Sequence, residues 1–185
     1  MAEGETVIRA RADVKAALVS LPRRLKHVQC VASVAAGLPL SAAERENVLT
    51  AAWLHDIGYA PGWTITGFHP VDGARRLREL AWPTEVVSLV AYHSGAEWEA
   101  RERGLAAELE DFDRPPDRLL DFVTFADMTS SPDGKRVSVE DRLAEILGRY
   151  PEGDPVHRAV TLSAPYLTAA VRRTIEALGL PDKGF

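Results

Sequence analysis

One cysteine, no long apolar run and no surplus of positive charge are the telling shortages of this 185-residue chain. Cys30, being alone, cannot form an intramolecular disulfide, which fits a reducing cytoplasm. No segment approaches the ~20 apolar residues that a bilayer crossing needs. The opening stretch MAEGETVIRARADVK carries charges where a secretion signal needs an apolar core. Lysine and arginine number 22 against 27 acidic residues, for a net charge of −5. That balance argues against a nucleic-acid-coating protein, which needs a basic face. A nucleotide substrate stays open, because a metal can supply positive charge locally. Strand-type alternation, internal repeats, linkers and low-complexity tracts are missing as well.

What is present is apolar and helical. Hydrophobic residues make up 46% of the chain and charged residues 26%, enough for one globular domain with a sizeable core. The apolar spacing is helical almost throughout. We therefore expect an all-α, single-domain helical bundle over residues 1–185, with its motif core over about 20–130 and the helices of 138–179 packed on it. A first helix is expected over 8–19, and Pro22 opens a second that runs to about 36. Ser41 followed by Glu44 is a capping-box pattern for a third, which Gly58 is placed to stop. Residues 59–68 are turn-rich. Helices are expected at 70–81, 84–93 and 117–129, then from Ser138 to about Tyr150. A last one over 155–179 is expected to be interrupted at Pro165. Residues 94–117 read as charged and irregular, with one short exposed helix, and their position suggests a lid.

The chemistry concentrates in histidines and aspartates set in apolar surroundings. His55 and Asp56 continue the stripe Val48, Ala52, Trp53 at a helix end, where a divalent ion can take both imidazole nitrogen and carboxylate oxygen. The bland reading is a surface acid beside a packed histidine. His27 shares a stripe with Val31 and Val34, and taken alone a histidine there is more often a hydrogen-bonded core residue. His93 ends the series Val86, Leu89, Val90. His69 precedes Pro70, where it suits a helix cap. Asp127, on the face of Leu120 and Val123, needs a cation or strong donors; Arg118 or Arg142 are the ordinary partners available. Taken together, four of the five histidines and two aspartates fall on core-facing or helix-end positions. A helical bundle can bring such positions to one interior point.

The ordered set His27, His55-Asp56 (continued as HDIG) and Asp127 resembles the HD-domain superfamily of metal-dependent phosphohydrolases. The resemblance implies that His27, His55, Asp56 and Asp127 bind a first divalent transition metal (iron, manganese, cobalt or zinc). His69, in HPVDGARRLRE, and His93, in VAYHSGA, match the two added histidines of members with a second ion, which Asp56 then bridges. His55 and Asp56 become the catalytic candidates, with a metal-held hydroxide aligned on a phosphorus atom. The implied substrate is a small phosphorylated metabolite, first of all a nucleotide. No stable nucleic-acid or membrane partner is implied. The GYP-type signature of the cyclic-dinucleotide phosphodiesterase branch is missing, so that activity is not carried over.

Some relatives with the same six ligands hold a di-iron centre and oxidise substrates, so an oxygenase is the alternative enzyme. A metal-stabilised sensor or scaffold is the non-enzymatic one. Arg23, Arg24 and Lys26 near His27, and Lys135 and Arg136 after Asp127, are candidate phosphate-positioning cations or simply a solvated face. Trp63 suits base stacking or core packing. Cys30 reads as an inert buried thiol, and His157 belongs to no motif.

Overall fold

Ser41 and Glu44 start the central helix of the fold. In the computed structural model, which describes residues 4–181, the Ser41 hydroxyl accepts from the Glu44 amide. The Glu44 carboxylate in turn accepts from the Ser41 amide at 3.1 Å, closing the expected capping box. The helix so begun is α3 (Ala42–Leu54), preceded by α1 (Glu5–Ala17) and α2 (Pro22–Gly37). After a 3-10 turn at Ile57–Tyr59 come α4 (His69–Glu79) and α5 (Thr84–Tyr92). A second 3-10 turn at His93–Gly95 leads to α6 (Ala96–Arg103) and α7 (Ala106–Glu110). The chain then forms α8 (Asp117–Met128), α9 (Val139–Arg149) and α10 (Pro155–Leu178). No β-strand occurs among the described residues, and the architecture is all-α. The first three and last four residues of the expected 1–185 domain lie outside the described residues.

Two helices form the centre. Every residue of α3 from Val48 to Leu54, and of α8 from Leu120 to Met128, is buried. A helix that is apolar all round must be enclosed by others. α3 packs on α1, α2, α5 and α8, while α8 also meets α2 and α10. The ends of these two helices deliver His55, Asp56 and Asp127 to the interior. None of the described helices is long and apolar enough to cross a membrane.

Three expectations need correcting. Residues 94–117 are not irregular. They contain α6 and α7, and α6 buries Ala96 and Ala100 as it packs against α10. The charged residues that suggested a loop belong to α6, where Glu97, Glu99 and Glu102 pair with Arg114, Arg103 and Arg158. Nor does Pro165 interrupt the last helix, which runs unbroken for 24 residues. Pro165 and Thr161 are both exposed, so the carbonyl that proline deprives of a partner can meet water. Gly58, finally, does not stop α3, which ends at Leu54; its role is steric and belongs to the site.

The capping box is also an inter-helix tie, because Arg118 Nε of α8 donates to Glu44 at 2.7 Å. Arg118, then Ser41, hold the Glu44 carboxyl down at about 2. A folded-state value below the unfolded one of about 4.3 contributes stability that is complete above the unfolded value and lost as pH falls toward the folded one. The urea midpoint of wild type should therefore exceed that of Glu44→Gln at pH 6, with the gap closing near pH 2. A gap independent of pH would show that the ionised carboxylate contributes nothing.

Candidate metal centre

Five elements bring their ends to one point. α2 presents His27 on its buried stripe, and His55 and Asp56 follow α3 directly. His69 opens α4, His93 follows α5, and Asp127 lies in the last turn of α8. His27, His55, Asp56, His93 and Asp127 are buried. Ligand atoms of His27, His55 and Asp127 all lie within 4.8 Å of one another, and so do those of Asp56, His69 and His93.

Asp56 lies between these two groups. Its Oδ2 is 3.4 Å from His55 Nε2 and 3.7 Å from His27 Nε2, whereas its Oδ1 is 3.3 Å from His69 Nε2. The imidazoles are held by their other nitrogens. His55 Nδ1 donates to the Ala52 carbonyl at 2.9 Å, His93 Nδ1 to Val90 at 2.7 Å and His27 Nδ1 to Ser131 at 3.2 Å. A carbonyl only accepts, so in each neutral ring Nδ1 carries the proton and Nε2 offers a lone pair. His27 Nε2 and His55 Nε2 then face each other at 3.4 Å as two acceptors. His69 Nε2 and His93 Nε2 approach to 3.2 Å.

Asp127 completes the case for a cation. Ser94 Oγ donates to its Oδ2 at 2.5 Å, while Oδ1 is buried without a hydrogen-bond partner. That oxygen lies 3.0 Å from His27 Nε2 and 3.8 Å from Arg142. Arg142 is thus near but not bonded, and Arg118 is engaged with Glu44; neither ordinary partner satisfies the acid. Facing lone pairs and an orphaned carboxylate oxygen are what a divalent ion relieves, and the carbonyl-anchored Nδ1 atoms are the usual outer support of metal-binding histidines. The donor set fits a metal.

The electrostatics agree. Burial alone would raise the Asp56 carboxyl, but Arg24 and then His55 hold it well below the usual carboxylate range. Asp127 is likewise held down against burial by His27. Burial, with His55 and His69 nearby, pushes His93 down to about 3, so it stays neutral as a ligand must be. His55 goes the other way: burial opposes its charged form, but Asp56 outweighs burial and raises it. The carboxylate charge that favours a proton there equally favours a metal.

These side chains are positioned by contacts with little sequence signal. A Cβ on Gly58 would lie 2.1 Å from the His69 carbonyl oxygen and 2.8 Å from the Gly73 amide, so only glycine lets the 3-10 turn seat against α4. Buried Asp72 accepts from the amides of Ile65, Thr66 and Gly67 at 2.9–3.1 Å, fixing the loop that leads to His69. Ser94 takes φ +48°, a left-handed conformation unusual for serine, and from there reaches Asp127. Tyr59 stacks on His69 with ring centroids 4.1 Å apart, and the Arg24 guanidinium lies 4.0 Å from the centroid of the Tyr59 ring.

Among the candidate cations, Arg24 reaches the centre and donates to Asp56 Oδ2 at 2.6 Å. Lys26 and Arg136 line a separate cleft with Cys30 and Asp133, away from the histidines. Lys135 is exposed on the loop after α8. Cys30 is only partly buried, because it falls beside the stripe that buries His27, Val28 and Val31. Trp63 packs against the core margin, and Tyr59 takes the place at the cleft that stacking would require. His157 Nδ1 donates to the Tyr150 carbonyl, outside the cluster. Arg142, Arg149 and Tyr150 also line the cleft, which encloses about 90 Å³. Only the register of α9 would have placed those arginines there.

Gly58→Ala should lower thermal stability and metal content together, since the added methyl displaces the His69 backbone; full metal content at wild-type stability would refute the steric reading. Protein purified without chelator should contain divalent transition metal by elemental analysis. His69→Ala and His93→Ala should lose part of it, and Asp56→Ala most. Undiminished metal in His93→Ala would remove that residue from the ligand set.

The family model for the HD domain matches residues 24–146. No curated protein and no solved structure gave a significant match. The matched segment covers more than half of the chain and encloses all six clustered side chains, and the family implies divalent metal binding. The chain belongs to the HD-domain family, within a superfamily of metal-dependent hydrolases.

Proposed function

We propose that the chain is a metal-dependent phosphohydrolase that cleaves a phosphoester or phosphoanhydride bond in a nucleotide or similar small metabolite. The observation that carries this reading is the span of Asp56, whose two oxygens face two separate histidine groups at the floor of an arginine-lined cleft. Two ions, held by His27, His55 and Asp127 on one side and by His69 and His93 on the other, with Asp56 shared, fit the donor set. When bound, such ions supply a hydroxide nucleophile near neutral pH and positive charge for the phosphoryl oxygens.

The chain's own residues do the rest. Ser94 fixes the carboxylate of Asp127 through Oδ2, leaving Oδ1 turned to His27. The three Nδ1-to-carbonyl bonds hold the imidazoles in one tautomer and orientation. Arg24 lines the cleft beside Asp56 and offers guanidinium donors to non-bridging phosphate oxygens. Val156, Val160 and Leu167 of α10 form an apolar wall that limits water and suits the uncharged part of the substrate. The face of Tyr59 suits a base or other flat group.

The test is a panel of nucleoside phosphates and phosphodiesters assayed with the metal-loaded protein while oxygen consumption is followed. Phosphate release without oxygen uptake is expected, abolished by chelator and restored by added metal. Asp56→Ala should lower kcat/KM by roughly 10³-fold, the scale of losing a major electrostatic stabiliser. Silence across the panel with metal bound, or oxygen uptake in its place, would overturn the reading.

A further inference from the structure

A second cavity of about 370 Å³ adjoins the metal cleft and shares Arg24, His27, Tyr59, Arg142 and Arg149 with it. Its outer part is formed by the N-terminal turn of α2 and by Arg23. None of its described lining residues is acidic. The N-terminus of α2 has no side-chain cap and no acidic residue in its first turn, so its positive dipole end is left uncompensated. Independently, Arg142 is only 6% exposed and its Nε is buried with no hydrogen-bond partner. A buried guanidinium N–H without an acceptor is a donor waiting for a ligand atom.

The carboxylates nearby do not balance these charges. Arg142 and Arg149 share Glu145, at 2.5 and 3.6 Å, and the other acid near Arg142 is Asp127 at 3.8 Å, whose oxygen faces His27. Arg24 is paired with Asp56, which faces the metal ligands. Arg23 meets Asp133 at 3.0 Å, but both side chains are more than half exposed, and such pairs contribute little.

From this we infer that the cavity beside the metal centre is a second anion subsite, built to hold a phosphate group of the substrate other than the one being cleaved. The inference rests on the phosphohydrolase reading and narrows it to substrates with at least two phosphoryl groups. Guanidinium forks of Arg23, Arg142 and Arg149 suit phosphate oxygens bidentately. The amides of the first turn of α2 supply the further donors that helix N-termini offer to such groups.

The experiment uses the full metal-loaded chain. Initial rates are compared for adenosine 5′-monophosphate, adenosine 5′-diphosphate and adenosine 3′,5′-bisphosphate, and inorganic phosphate is titrated calorimetrically. At least one doubly phosphorylated nucleotide should exceed the monophosphate in kcat/KM by about tenfold or more, the scale of one charge-assisted contact. Arg149→Gln and Arg23→Gln, both at partly exposed positions that the fold tolerates, should each reduce that preference, chiefly through KM. Phosphate should bind wild type at two sites per chain, with one weakened in each variant. Equal rates for all three nucleotides with one phosphate site would overturn the subsite and leave the hydrolase reading standing. Two phosphate sites, one of them sensitive to Arg149→Gln, without turnover of any nucleotide would do the reverse. Binding of free phosphate at the second site without a kinetic preference would overturn the claim that the substrate itself fills it.

Discussion

Asp56 is buried with its two oxygens facing different sets of imidazoles, and the rest of the centre follows from that placement. A buried carboxylate must be neutralised or matched by positive charge. Arg24 does so from the cleft side, and on the inner side His27 and His55 turn lone pairs rather than protons toward Oδ2. An arrangement so poor in hydrogen donors is stable with a cation among the ligand atoms and strained without one. That one constraint explains why three imidazoles are anchored through backbone carbonyls. It also explains why Ser94 adopts a conformation serine seldom takes.

Much of this was legible in the amino-acid order, because burial and periodicity are local signals. The stripe of α2 placed His27 inward, and the series before the HD doublet placed His55 and Asp56 at a buried helix end. The capping box of α3 and the start of α9 at Ser138 followed from side-chain-to-backbone bonds spanning three residues. What could not be read locally depended on other segments. The glycine after the doublet suggested a helix stop, yet its meaning lies in the backbone of α4 at His69 and Gly73, a close approach that no local pattern records. Pro165 suggested a break, yet the exposure of its face removed the penalty. The basic residues beside His27 looked equivalent in sequence; the turn of α2 sends Arg24 to the centre and Lys26 to another cleft.

Two of the cations lining the cleft lie outside the motif. Arg142 and Arg149 lie on α9; the sequence offers Arg142 as a partner for Asp127, but the pattern that makes α9 amphipathic gives no hint that both arginines line the cleft. Their position depends on how α9 and α10 fold back over α8. Tyr59, immediately after the HDIG stretch, was nearer to hand, since a flat ring one turn past a ligand doublet is placed to stack on whatever the doublet assembles.

The long helix α10 begins beyond the segment the family shares, yet Val156, Val160 and Leu167 wall the cleft. The six clustered side chains and the apolar wall of the cleft therefore sit on different stretches of polypeptide, so substitutions in α10 can reshape that wall without touching any of the six.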